Sequence, residues 1–198
     1  MAEERQTRRG FLLAGGTLAM GFGLAASEAP AQELAPTPAC RDGSAPTLRQ
    51  TEGPFFKPRS PERADLREPA GGGRTLELTG VVLTRSCRPL PRALIDLWHA
   101  DGKGEYDNSG FRFRGHQYSD ANGAFRFRTI VPAAYVGRTK HLHVKVQAPG
   151  SRLLTTQLYF PDEPANRRDD LFHRELLMRV AQVNDGLSAR FDFVLDLR

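Results

Sequence analysis

This 198-residue chain has no block of basic charge, no nucleotide-binding glycine loop and no apolar run long enough to span a bilayer. Its 28 Lys and Arg against 23 Asp and Glu leave a net charge of +5. The cations are scattered, however, which argues against nucleic acid as a partner. Without a P-loop, a Rossmann glycine fingerprint or a G-x-S-x-G elbow, the common nucleotide-dependent and serine-hydrolase classes drop out. No internal repeat has a solenoid or propeller period. Cysteine is limited to Cys40 and Cys87. What is present, 39% hydrophobic and 26% charged residues with 19 Gly and 14 Pro, suits one globular domain with many turns.

The first residues read as a leader. Thr7-Arg8-Arg9-Gly10-Phe11-Leu12-Leu13 is a twin-arginine pattern, followed by a Gly/Ala-rich apolar stretch over residues 11–26 and a small-residue cleavage site at Ala29-Pro30-Ala31. The stretch is short for a membrane span. Residues 1–31 therefore read as a signal peptide cleaved after Ala31, the alternative being an uncleaved anchor. Cleavage removes three residues of each charge sign and leaves the mature charge at +5. The expectation is a periplasmic or secreted protein with no stable membrane insertion after cleavage. Twin-arginine export carries folded proteins, often with a cofactor already inserted. In an oxidising compartment Cys40 and Cys87 are candidates for a disulfide rather than two buried thiols.

Residues 32–73 read as an extended lead-in and a loop ending in Ala70-Gly71-Gly72-Gly73, and residues 74–198 as the folded domain. Strand signals fall at residues 75–84, 93–98, 125–128, 140–147, 153–160 and 190–197. Phe125 and Phe127 alternate with Arg126 and Arg128, and Phe191, Phe193 and Leu195 are in phase. Turn signals separate them, among them Asp101-Gly102, Asn108-Ser109-Gly110, Asp120-Ala121-Asn122-Gly123 and Pro149-Gly150. Only residues 166–180 look helical. This pattern predicts an all-β, antiparallel β-sandwich with a minor helix near the C-terminus.

Chemistry concentrates in Arg138-Thr139-Lys140-His141-Leu142-His143. Two histidines at i and i+2 of a strand share a face. Such a pair is often only a polar surface, but Leu142, Val144 and Val146 already supply the apolar side, so packing does not need the histidines. Tyr106 and Tyr135 lie in irregular segments, where scaffolds display functional groups. A lone tyrosine is ordinarily an amphipathic packing residue. Together the four give an N2O2 donor set that suits a hard, highly charged metal such as Fe(III), which would hold the phenols as phenolates. Arg138 is either a surface arginine or a group that steadies negative charge on a bound substrate.

At these residues the chain resembles the intradiol ring-cleavage dioxygenases, the family of the catechol 1,2- and protocatechuate 3,4-dioxygenases. The resemblance runs from about Thr51 to Phe160. Thr51-Glu52-Gly53-Pro54-Phe55-Phe56 is similar to the family's T-x-G-P-[YF]-[YF] segment beside the substrate. The stretch from Ile95-Asp96-Leu97-Trp98-His99-Ala100-Asp101 to Gly104-Glu105-Tyr106 resembles the motif of the first tyrosine ligand. Tyr118-Ser119-Asp120, Gly123-Ala124-Phe125 and Phe127-Arg128-Thr129-Ile130-Val131-Pro132 lead to the second, Tyr135. Arg138-x-x-His141-x-His143 matches the arginine and histidine ligands, and Thr156-Gln157-Leu158-Tyr159-Phe160 the T-Q-x-Y-F strand.

The resemblance implies a prealbumin- or transthyretin-like sandwich holding Fe(III) through Tyr106, Tyr135, His141 and His143. Gly53, Pro54 and Phe55 would line the substrate pocket. It also implies that a catechol dianion replaces Tyr135, that the released ligand takes up substrate protons, and that Arg138 stabilises charge with Gln157 nearby. The ring, with O2, would open between its two oxygen-bearing carbons to a muconate-type diacid. Compared with the best-known members, the Tyr135–Arg138 spacing is short, and Ala133-Ala134 replaces a glycine-containing turn. The long N-terminal helical dimerisation segment is missing, though a homo-oligomer is compatible with the resemblance. His99 and His116 read as structural polar residues and His173 as a surface residue. Two alternatives stand beside the dioxygenase: a non-catalytic transthyretin-like binding module, and a metalloenzyme with another metal such as copper.

Overall fold

A computed structural model describes residues 40, 41, 43–68 and 72–197. The expected signal peptide, residues 1–31, lies outside the described residues. Among the described residues nine strands form two sheets. They are β1 (Thr75–Thr84), β2 (Leu94–Trp98), β3 (Arg114–Tyr118), β4 (Ala124–Ile130), β5 (His141–Gln147), β6 (Leu154–Tyr159), β7 (Arg179–Val183), β8 (Gly186–Arg190) and β9 (Phe193–Leu195). One sheet runs β4-β1-β8-β7 with β9 also on β1, and the other runs β3-β2-β5-β6. Period-two alternation builds the layer between them. Leu76, Leu78, Ile95, Leu97, Phe127, Leu142, Val144, Val146 and Leu158 are all buried to within 1%.

The sandwich is as expected, with two refinements. The first sheet is mixed, because β1 pairs in parallel with both β8 and β9. Residues 190–197, expected as one strand, hold only the last residue of β8 and then β9. β8 pairs with the first half of β1, the chain breaks at Phe191-Asp192, and β9 pairs with the second half. At the break the Asp192 carboxylate takes the N–H of Val81 (3.0 Å) in place of a strand carbonyl.

The helix expected over residues 166–180 is a correction. That stretch holds two short 3-10 turns, Pro164–Arg168 and Arg174–Leu176, and then enters β7. Neither turn has a side-chain cap at its N-terminus, and Asp169 and Asn166 spend their polar groups on tertiary contacts instead. Among the described residues no helix is long and apolar enough to cross a membrane.

The segments before β1 cover sheet edges. Thr47 and Gln50 bond to Val194 and Thr155. Residues 61–66 bridge β3 and β4, through Glu62 beside His116 and Asp65 beside Arg128. Cys40 and Cys87 form a disulfide across 47 positions with their Cα atoms 5.7 Å apart.

Candidate functional site

The site lies on the face of the β3-β2-β5-β6 sheet turned away from the core. His141 and His143 project there from β5, opposite buried Leu142 and Val144. The Nδ1–H of His141 donates to the Thr139 carbonyl (2.7 Å), which leaves Nε2 as a bare lone pair. That Nε2 is 3.1 Å from His143 Nε2 and 3.2 Å from the Tyr106 hydroxyl. His143 stacks on Trp98 at 4.9 Å and 7°, which fixes its plane. Burial pushes His141 down to about 4 and His143 well below its usual value, so both are neutral imidazoles near pH 7. Burial also raises the Tyr106 phenol, against the pull of Arg138 and Arg114, so this hydroxyl needs a further cation to ionise.

Glycines let the loops close over this cluster. Gly53 has φ +72°, and a Cβ there would stand 3.3 Å from His143 Cε1. Gly104 has φ +87°, and a Cβ there would meet the Ala134 carbonyl at 2.5 Å. This close approach, with the Ala133 N–H to Asp101 carbonyl bond (3.0 Å), joins the loops of Tyr106 and Tyr135. The Tyr106 and Tyr135 rings are 5.9 Å apart at 77°. Phe55 stacks on Tyr106 at 4.4 Å and meets Tyr135 edge-on at 5.2 Å. The Tyr135 hydroxyl makes no hydrogen bond to a described residue. Pro54 is exposed beside them.

Arg138 enters from the other side. Its Nη2 donates to Gln157 Oε1 (2.7 Å), and Gln157 in turn donates to the Thr51 carbonyl (3.0 Å), tying residues 51–56 to β6. Gln157 lies opposite His143 in the β5–β6 ladder. The structure therefore brings Gly53, Phe55, Tyr106, Tyr135, Arg138, His141, His143 and Gln157 close together, with Pro54 exposed at the edge. His99 is fully enclosed, bonded to the Ala100 carbonyl and the Thr129 hydroxyl. His116 meets Ser60, and His173 is exposed.

Sequence reasoning missed four supporting residues. Trp98 and Thr139 orient the two imidazoles. Asp169 holds Arg138. Arg114, 2% exposed, donates to the Phe55 carbonyl (2.6 Å) and twice to that of Asp107 (3.1 and 3.0 Å), joining the Phe55 segment to the Tyr106 loop. For Arg114 a signal existed, a charged residue placed between Phe113 and Gly115. For Asp169 there was none.

The donor set fits a metal ion. Ligand atoms each about 2.0–2.1 Å from one cation stand about 3 Å from one another. Tyr106 Oη and His143 Nε2 each stand at that spacing from His141 Nε2. Among the described residues no three His, Cys, Asp or Glu side chains converge, so a metal here would need tyrosine oxygen. Neutral nitrogens with phenol oxygens suit a hard trivalent ion better than a thiophilic one.

Comparison with known proteins agrees with this geometry. Residues 51–197 match a family described as dioxygenase. The chain is 32% identical over 147 residues to the catechol 1,2-dioxygenase of Acinetobacter baylyi, covering 60% of this chain and 47% of that one. It is 32% identical over 144 residues to the hydroxyquinol 1,2-dioxygenase of Nocardioides simplex, covering 61% and 49%. It thus spans about half the length of these curated relatives. Among solved structures it resembles the dioxygenase domain of a dioxygenase carbohydrate-binding protein fusion from Streptomyces sp. SirexAA-E. There the identity is 52% and the TM-score 0.75, over 78% of this chain and 100% of that one. The hydroxyquinol 1,2-dioxygenase of Pseudomonas putida matches with TM-score 0.71 at 27% identity, over 80% of this chain and 69% of that one. By its matched sequence and its sandwich alike, the chain belongs to the intradiol dioxygenase family.

Proposed function

We propose that this protein cleaves a catechol-type ring between its two hydroxyl-bearing carbons with O2, giving a muconate-type diacid, and does so with Fe(III) held by Tyr106, Tyr135, His141 and His143. The observation that carries this reading is that the Tyr106 hydroxyl and His143 Nε2 both lie within 3.2 Å of the bare His141 Nε2. Bound there, the ferric ion supplies Lewis-acid activation and a template for the two catechol oxygens. The protein supplies the rest. The Tyr135 ring packs against Phe55 and Tyr106, and its Oη, which makes no hydrogen bond to a described residue, would help hold the ion and would be the atom that takes a catechol proton. Arg138 presents positive charge to the anionic substrate, and Phe55 and Gly53 wall the ring into place.

The test is a visible spectrum of iron-loaded protein before and after catechol is added without oxygen, followed by product analysis in air. Expected are a tyrosinate-to-iron band that moves to longer wavelength with catechol and a ring-opened diacid. A protein that stays colourless after ferric loading would overturn the reading in favour of a binding module.

We also infer export through the twin-arginine route to the periplasm or medium. The Cys40–Cys87 disulfide supports it, because such bonds persist outside the reducing cytosol. Fusing residues 1–31 to a reporter, with Arg8 and Arg9 both changed to Lys, tests it. Unchanged export of the altered fusion would refute it.

A further inference from the structure

Behind Arg138 sits the carboxylate of Asp169, which among the described residues makes no hydrogen bond to an imidazole or a tyrosine. Arg138 Nε donates to both oxygens of Asp169 (3.0 and 2.9 Å), and Nη2 donates to Gln157 (2.7 Å) with Tyr159 Oη at 3.4 Å. A guanidinium carries five N–H groups in a rigid fork. With the Nε and Nη2 edge so engaged, Nη1 is the nitrogen without a bond to a described residue. Asp169 is itself anchored independently of Arg138. Its oxygens accept the N–H of Thr139 (2.9 Å) and of Leu171 (3.0 Å). Its side chain is 2% exposed against 19% for Arg138. The preceding 3-10 turn is pinned to the same segment, since the Thr139 hydroxyl donates to Asn166 Oδ1 (2.7 Å).

We propose that Asp169 is a positioning residue for ring cleavage: it fixes the Arg138 guanidinium so that Nη1 faces the substrate. This rests on the function proposed above. The order of support runs one way, from backbone N–H groups to carboxylate to guanidinium. A long arginine side chain would otherwise spread over several rotamers and lose its aim. The two oxygens on Nε remove that freedom before substrate arrives.

The test is a double-mutant cycle, Asp169→Asn and Arg138→Met, in the full-length iron-loaded protein with catechol as substrate. It is paired with the NMR signal of the Arg138 Nε–H in metal-free protein, identified by its loss in Arg138→Met. Expected are a kcat lowered about tenfold to a hundredfold by Asp169→Asn, no further loss when Arg138 is already Met, and fast exchange of the Nε–H. Unchanged kcat, or losses that multiply in the double variant, would overturn the proposal and leave Asp169 a fold staple. If the unaltered protein does not open catechol, the ring-cleavage reading fails and the proposed role in it falls with it. The Nε–H exchange, which needs no turnover, then reports separately whether Asp169 holds the guanidinium.

Discussion

Gly53 shows how much of the site depends on single atoms. Its positive φ strains any larger residue, and a methyl group 3.3 Å from His143 Cε1 would push the imidazole aside by a few tenths of an ångström. Gly53→Ala should cost about 1–2 kcal/mol of stability from the left-handed backbone. Because the added carbon presses on an imidazole, iron uptake should fall far more than melting temperature. Ferric titration beside a thermal melt checks this, and unchanged iron affinity would contradict it. Arg114→Met should be harsher. It strips the part-buried carbonyls of Phe55 and Asp107 of their donor, at about 1–3 kcal/mol for each carbonyl left unpaired, read by denaturant titration. His99 adds a pH dependence. Burial lowers its folded-state pKa from 6.5 to about 4, so the unfolded chain takes up the proton first. Its contribution to stability is fully present above pH 6.5 and is lost as pH falls towards 4, by about 3 kcal/mol at about 1.4 kcal/mol per pKa unit. Denaturation midpoints of metal-free protein at pH 7.5 and 4.5 measure this, and in His99→Gln the difference should shrink.

Among the elements, β1 and β5 were legible in the sequence and residues 166–180 were not. Strands with one apolar face announce themselves by alternation, as Leu142, Val144 and Val146 do. A 3-10 turn whose polar residues bond to distant partners has no such period, and Arg179 to Val183 pairs along an exposed edge with a weak apolar signal. The split between β8 and β9 was hidden for a related reason. Phe191, Phe193 and Leu195 keep phase across it, while its cause lies on another strand. At Gly80 of β1 a Cβ would fall 1.8 Å from the Phe191 carbonyl and 2.8 Å from the Phe125 ring. Gly80→Ala therefore collides with backbone that cannot yield, and should destabilise by more than about 3 kcal/mol. The check is recovery of folded protein and its denaturation curve; near-normal stability would mean that the β8–β9 junction is looser than described.

At the scale of the whole molecule, the sandwich was readable from short-range alternation and the candidate site from local motifs and the resemblance they carry, whereas the supports of both come from far along the chain. Asp169 is 31 positions from Arg138, and Arg114 is 59 from Phe55. The Cys40–Cys87 bond is another such long-range tie. Closing 47 positions, it should contribute about 4 kcal/mol through the unfolded chain. Reductant should lower the melting temperature, and a Cys40→Ser, Cys87→Ser variant should melt at the reduced value with or without it. The alternation along β5 carries a last consequence. His141 and His143 face the site, while Leu142, Val144 and Val146 face the core, so adjacent codons answer to different selective pressures. A saturation scan of this strand should split by parity: at 141 and 143 replacements silence the protein yet leave it abundant, and at 142, 144 and 146 they remove it from the cell. Chemistry can thus drift or be redesigned on one side of a single strand while heredity holds the other side still.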